Sequence, residues 1–301
     1  MYKYWGLGLN ILSEVEFPEL FPFEFSNIPD LTISIGIAPT ALTSEGVVNM
    51  VRLSLSPTEY LLNLSNVANY YACKGELIVI EPAINADEKS VRLFLLSNAV
   101  PAILNQRNQI LFNASAVENG DSVAMFCGLS GVGKSTLITS LKQNGFRVFT
   151  DDLCVVDAGN DGDPVKIIPS YPAIKLWENS FQKLEMALPC RELTTREKLP
   201  QYNLFYHSQF NKQALPVSKI FILQTELKDD EPVIKKLNAV EAFTHIHNSS
   251  YQPQKVYAQK KQSVQFNVVS RLAAQSQVYY VTRPQKSNSI NQLRKLIEFY
   301  L

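Results

Sequence analysis

The sequence predicts an α/β chain (mixed α+β): a β-rich N-terminal part, then strands and helices arranged around a glycine-rich loop. Three observations carry this. Ser122-Val-Ala-Met-Phe-Cys127 is a short apolar run, readable as a buried strand, and Leu137, Ile138 and Leu141 beyond the glycines sit at helical spacing. Residues 1–90 hold short strand-like runs broken by Pro18, Pro22, Pro29, Pro39, Pro57 and Pro82. Asn119-Gly120 between two apolar runs is a strong short-range hairpin signal.

In chain order, Leu31-Thr-Ile-Ser-Ile-Gly-Ile37 alternates with period two, as a half-buried strand does, and Tyr60–Leu64 and Glu76–Glu81 are further strand candidates. Val91, Phe94, Leu95, Val100, Ile103 and Leu104 predict a mostly buried helix, kinked at Pro101, at the join of two domains, 1–105 and 106–301. The first is read as an accessory β domain. Ile110–Glu118 and the strand after Asn119-Gly120 form the hairpin that feeds the loop, and Gly145 ends the helix behind it as a C-cap glycine. Phe146–Thr150 and Leu153–Asp157 are short strands; Ile174–Trp177 is read as the start of a helix, and Val217–Leu223 as a strand. Asn238 with Glu241 three residues on marks an N-cap. Tyr251–Gln262 is mildly basic and read as exposed, and Ser287–Leu301 is an amphipathic helix.

The chemistry is concentrated in residues 128–136. Gly128, Leu129, Ser130, Gly131, Val132, Gly133, Lys134, Ser135 and Thr136 fit the pattern of two glycines four residues apart followed by Lys and Ser that cradles phosphates. Glycines let the backbone wrap with N–H groups inward. Lys134 reaches the β- and γ-phosphates, Ser135 holds Mg²⁺, and a helix starting at the lysine adds its dipole to the anion site. Asp151-Asp152, at the end of the next strand, suits Mg²⁺ ligation or acceptance of a hydroxyl proton. Arg191, Arg196 and Lys198 lie in a polar segment to Gln201, read as a solvated loop, with a cation for the transferring phosphoryl group as the alternative.

Composition narrows the classes. The chain has 301 residues, 46% hydrophobic, with 28 basic against 28 acidic residues, so a real core is expected and a nucleic-acid partner is not. Cys73, Cys127, Cys154 and Cys190 form no metal or redox spacing and are read as buried free thiols in a reducing cytosol. His245 and His247, two apart, do not share a helix face and are not read as metal ligands. No signal-peptide layout and no apolar run of about 18 residues are found, so the expectation is a cytoplasmic protein without a membrane partner.

Leu111-Phe-Asn-Ala-Ser-Ala-Val117, the Asn-Gly turn, Gly128–Thr136, Asn144-Gly-Phe-Arg-Val-Phe-Thr-Asp-Asp152 and Tyr171-Pro-Ala-Ile-Lys-Leu-Trp177 follow one another in an order that resembles the catalytic domain of HPr kinase/phosphorylase. They are closer still to HPr-kinase-like proteins of peptide-biosynthesis clusters, some of which phosphorylate a serine on a lasso-peptide precursor. The resemblance implies a P-loop core related to phosphoenolpyruvate carboxykinase over 106–301. It implies ATP and Mg²⁺, Lys134 as phosphate clamp, Ser135 and Asp151 toward the metal, and Asp152 as the acid that takes the serine proton, with the roles of the two aspartates exchangeable. The HPr kinases form hexamers, which leaves a homo-oligomer open, but nothing in the sequence shows a subunit interface. Asn113 stands where the family has histidine, and asparagine cannot carry a proton near neutral pH. Glu178 lies roughly where that family keeps a magnesium glutamate, but its surroundings do not match and it is left unassigned. The expected activity is therefore transfer of the γ-phosphoryl group of ATP to a serine hydroxyl of a peptide or small protein. A nucleotide-binding module weakened at Asn113 and a small-molecule kinase are the alternatives; the absence of a Leu-Ser-Gly-Gly-Gln-type signature speaks against a transport motor.

Overall fold

A computed structural model describes residues 1–160, 162–196, 198–226, 231–252, 261–285 and 289–301. It is a mixed α+β structure that separates into two compact units. One comprises Met1–Ile110, Thr194–Leu199 and Gln252–Val264; the other comprises Leu111–Leu193, Pro200–Tyr251 and Gln265–Leu301. Much of the Tyr251–Gln262 stretch, and Ser287 at the head of the expected terminal helix, lie outside the described residues.

The first unit is built on nine strands: β1 (Tyr2–Gly6), β2 (Leu9–Ser13), β3 (Phe21–Pro22), β4 (Leu31–Ile35), β5 (Val48–Asn49), β6 (Leu53–Leu55), β7 (Glu59–Leu64), β8 (Ala68–Cys73) and β9 (Leu77–Pro82), in the sheet order β3-β1-β2-β4-β9-β8-β7-β6-β5. The period-two pattern of β4 holds through Leu31 and Ile33, which are buried, and then fails: Ile35 and Ile37 are exposed. The strand ends at Ile35, where the Glu14 carboxylate accepts the Ile35 N–H. Residues Glu88–Gln106 follow as helix, interrupted by a π turn over Leu95–Ala99 immediately ahead of Pro101. A proline inside a helix has no N–H to give to the preceding turn, and the wider turn absorbs that loss.

In the second unit the strands are β10 (Ile110–Phe112), β11 (Ala114–Asn119), β12 (Ser122–Cys127), β13 (Val148–Thr150), β14 (Cys154–Asp157), β15 (Lys166–Ile168), β16 (Ala173–Trp177), β17 (Gln201–Phe205), β18 (Leu215–Glu226), β19 (Val233–Lys236) and β20 (Gln277–Pro284). The large sheet runs β10-β14-β15-β18-β12-β11-β13, and β20 also pairs with β18 and β19. β11 and β12 form the antiparallel hairpin, closed by Asn119 opposite Ser122 with Gly120 at φ +61°. Ile174–Trp177, expected to open a helix, is instead strand β16, paired in register with β17; the helix begins only at Glu178. Cross-strand pairing over five residues outweighs local propensity there.

Strand direction positions the site. β12 is parallel to β18, and β18 to β20. β11 is antiparallel to both β12 and β13, so β13 runs the same way as β12. The C-terminal ends of β13, β12, β18 and β20 therefore meet one edge of the sheet. An aromatic ladder ties three of them together: Phe126 stacks on Phe221 and Phe221 on Tyr279, each at 5.3 Å between ring centres, and each pair is also a register partner. The helix Lys134–Gln143 packs onto this face through fully buried Leu137, Ile138 and Leu141. It ends at Asn144 with Gly145 at φ +93°, where Phe146 N–H reaches Leu141 O (3.1 Å) and Gly145 N–H reaches Lys142 O (3.2 Å), the bond pair of a Schellman cap.

Candidate functional site

The glycine loop leaves the end of β12 and turns into the helix at Lys134. Gly128 has φ +146°, and a Cβ there would lie 2.6 Å from Leu223 O of β18, so only glycine lets the loop seat against the neighbouring strand. Gly133 caps the helix in a left-handed conformation (φ 107°, ψ 17°) with no side-chain cap, and the first helical turn carries no acidic residue. The N–H groups of that turn are thus left for an outside acceptor, and the helix dipole favours an anion. Lys134 is buried, with its Nζ donating to Gly128 O (2.8 Å) and Leu129 O (3.2 Å). Burial lowers its pKa from the usual lysine value, opposed by Asp151.

Both aspartates follow β13. Asp151 is fully buried and accepts three hydrogen bonds: from Ser115 Oγ (2.6 Å) and Ser135 Oγ (2.9 Å) at Oδ1, and from Lys175 N–H (3.0 Å) at Oδ2. Burial and then the charge of Asp152 push its pKa up, against those three donors. Asp152 has φ +67° and a side chain 40% exposed, with Oδ2 paired to Lys175 Nζ at 3.0 Å. The Lys175 ammonium holds the Asp152 carboxyl below the ordinary carboxylate range. Burial alone would lower Lys175; Tyr171 and Asp152 outweigh it and hold the ammonium well above its usual value. Two adjacent carboxylates are therefore pushed in opposite directions by their surroundings.

A cleft of about 360 Å³, in the range of small-ligand sites, opens in this unit. It is lined by Asn113, Ser130, Gly131, Gly133, Lys134, Ser135, Thr136 and Asp152 among the residues singled out in the sequence. Asp151 lies behind Ser135; Gly128, Leu129 and Val132 shape the loop without being part of the lining. Glu178 does not line the cleft, although Asn179, Ser180 and Lys183 after it do. Arg196 lies over the Phe94 ring at 5.6 Å, within the first unit.

Sequence reasoning missed three groups here. Lys175 was visible only as part of Tyr171–Trp177, and its charge carried no positional signal until β16 was placed. Ser115 was likewise visible only as part of Leu111–Val117, with nothing in that segment to mark it as a partner of Asp151. Arg283 comes from β20, 150 residues downstream of the loop, and its Nε donates to Val132 O at 2.8 Å while its guanidinium packs 3.4 Å from where a Gly133 Cβ would be. No local pattern reports such a contact. Of the thiols, Cys73, Cys127 and Cys154 are buried, but Cys190 is exposed, because it falls in the irregular stretch before Arg191 rather than on a core strand. Burial pushes the Cys127 thiol up to about 12. Among the described residues no cluster of three or more His, Cys, Asp or Glu could hold a metal, and no helix is long and apolar enough to cross a membrane.

No protein-family model matches the chain. No curated protein matches it either. Among solved structures it is similar to the HPr(Ser) kinase/phosphatase from Coxiella burnetii, at 11% identity and a TM-score of 0.34, over 63% of this chain and 95% of that one.

Proposed function

We propose that the second unit is a phosphotransferase, transferring the γ-phosphoryl group of ATP to a serine hydroxyl of a peptide or small protein. The observation that carries this reading is the juxtaposition at one sheet edge of an uncapped, glycine-built helix start with two unlike carboxylates, one holding Ser135 and the other facing the cleft. The kind of acceptor rests on the sequence resemblance described above.

The donor set suits Mg²⁺ at Ser135 Oγ, a hard oxygen that lines the cleft; Ser135 would hold the ion, and Asp151 behind it, accepting the Ser135 hydroxyl at 2.9 Å, would support it at one remove. Bound there, it would supply charge neutralisation for the phosphates. The remaining work belongs to the chain. The loop amides and Lys134, released from its own loop carbonyls, bind and orient the phosphate tail. Asp152, ionised at neutral pH beside Lys175, accepts the proton of the serine hydroxyl as that oxygen bonds to phosphorus and the bond to the leaving ADP breaks. Asp152 suits this better than Asp151, because both Asp151 oxygens are already taken and it has no exposed surface. A low pKa is no obstacle, since a loose transition state asks little of the base until the new bond has formed. Asn113, in the same cleft, can orient an acceptor or a phosphate by hydrogen bonds but cannot relay a proton.

The test is incubation with γ-labelled ATP, Mg²⁺ and serine-containing peptides. Label should pass to peptide serine, and Lys134→Ala and Asp152→Ala should each abolish it. Near-full transfer by a folded Asp152→Ala protein would remove Asp152 from the role of base.

A further inference from the structure

The sheet order gives the cleft two unlike flanks. On one side of the loop, by way of β11, stands β13 with the two aspartates after it; on the other, by way of β18, stands β20 with Arg283 near its end. Phosphoryl transfer as read above uses the first flank. It leaves the second without a role, although Arg283, Ser289, Ile290 and Leu293 line the same cleft.

That second flank shows a deficit. Ser289 is 3% exposed, and its hydroxyl has no hydrogen-bond partner among the described residues. It stands at the N-cap of the 11-residue helix Ile290–Tyr300 but caps nothing. A buried hydroxyl without a partner costs about 1–3 kcal/mol, so its place at the wall of a cleft calls for an explanation. Beside it the wall is apolar, with Ile290 at 8% and Leu293 at 1% exposure. Arg283 is fixed at its edge, Nε to Val132 O and one terminal nitrogen to Pro284 O (3.1 Å), which ties this flank to the phosphate loop. A planar group with a polar rim, joined to a phosphate tail, is what an apolar wall, one orphan hydroxyl and a guanidinium would recognise together.

We propose that the β20 flank is the nucleoside subsite of the cleft: the base lies against Ile290 and Leu293 beside the Arg283 guanidinium, and a polar atom of the nucleoside pairs with the Ser289 hydroxyl. This rests on the phosphoryl-transfer reading, and it adds the half of the donor molecule that the glycine loop does not address.

The test is calorimetry in Mg²⁺ buffer on the full chain, with ATP and inorganic tripolyphosphate as separate probes. ATP should bind at least about tenfold more tightly than tripolyphosphate. Ser289→Ala should weaken ATP about fivefold, the worth of one hydrogen bond, and leave tripolyphosphate within about twofold. Adenosine should compete with ATP but not with tripolyphosphate, a measurement that needs no variant. Equal affinity for the two probes in the unaltered protein would overturn the subsite while leaving the phosphate site standing. Equal loss of both in Ser289→Ala would make this helix end a second anion site instead, and no change in either would remove Ser289 from binding. If neither probe bound the unaltered protein, the phosphate reading itself would fall.

Discussion

The two flanks of the glycine loop are built on opposite principles. On the β13 side, Asp151 accepts three hydrogen bonds and Asp152 is ion-paired, all between side chains and backbone of the same unit. On the β20 side, a buried hydroxyl waits beside an apolar wall. The first arrangement is preorganised: its charges are in place before anything binds, and nothing need reorganise when charge develops in the cleft. The second leaves a buried polar group unsatisfied at the cleft wall, at a cost to the unliganded fold. Substitutions on the two sides should therefore change stability with opposite signs.

The largest effect should come from removing the seat that both flanks share. Gly128→Ala puts a methyl 2.6 Å from Leu223 O at a φ of +146°. Left-handed strain and overpacking together predict a loss on the order of 3 kcal/mol. Gly131→Ala is the control, since φ is +83° but nothing lies within 4 Å; it should cost only about 1 kcal/mol. Urea unfolding of the two variants reads the difference, and comparable losses would mean that strain alone, not the contact with β18, fixes the loop.

Next in size is Asp152→Asn, which leaves the Lys175 ammonium, 9% exposed, without its counter-ion. A fully buried pair broken in this way costs about 3–5 kcal/mol; with the carboxylate 40% exposed and screened, about 1–2 kcal/mol is expected. Lys134→Met should behave differently, abolishing phosphoryl transfer while holding or raising stability, because it removes a buried charge whose partners are the loop's own carbonyls.

The carboxylates also predict a pH dependence with a definite sign. Asp152 has a folded pKa below its unfolded value of about 3.9, so its contribution is complete above that value and is lost as the pH falls through it toward the folded pKa. Lys175 is raised, so its contribution is complete below about 10.4 and is lost only in alkali. Asp151 is raised, so it favours folding as the pH falls and partly offsets Asp152. Unfolding free energies between pH 6 and 3 should fall less steeply in Lys175→Met and more steeply in Asp151→Asn. A Lys175→Met curve parallel to that of the unaltered protein would mean that Lys175 does not set the Asp152 titration.

How much of this was legible in the sequence follows from how local each signal is. The loop, its helix, the Asn119-Gly120 hairpin and the Asn238–Glu241 capping box, which forms with both of its hydrogen bonds, are written within a few residues of themselves. Asp151 and Asp152 were legible as a pair, but not their division of labour, which depends on Ser115 from β11 and Lys175 from β16. Ile174-Lys-Leu-Trp177 differs from its sequence reading because three apolar residues in four fit helix or strand equally, and only pairing with β17 decides. Arg283 and Ser289 had no signal at all. The place of Arg283 beside Gly133 is set by β20 lying parallel to β18, a contact between segments far apart in the chain, and Ser289 meets the loop only as a lining residue of the same cleft.

The smallest effect is the one that separates the flanks most cleanly. Ser289→Ala deletes a buried hydroxyl with no hydrogen-bond partner among the described residues, so the folded state no longer carries its desolvation cost. The methyl that remains still fills the wall beside Ile290, and alanine gives up no cap, because the serine side chain caps nothing in the helix Ile290–Tyr300. Against the usual loss of about 1 kcal/mol when serine is taken from a helix N-cap, this variant should be about 1 kcal/mol more stable than the parent, read as a higher urea midpoint at unchanged slope. Saturating ATP should narrow the difference, since the ligand stabilises the parent more than the variant. A destabilised Ser289→Ala would mean that the hydroxyl already has work in the unliganded fold, and the contrast between a satisfied flank and a waiting one would fail.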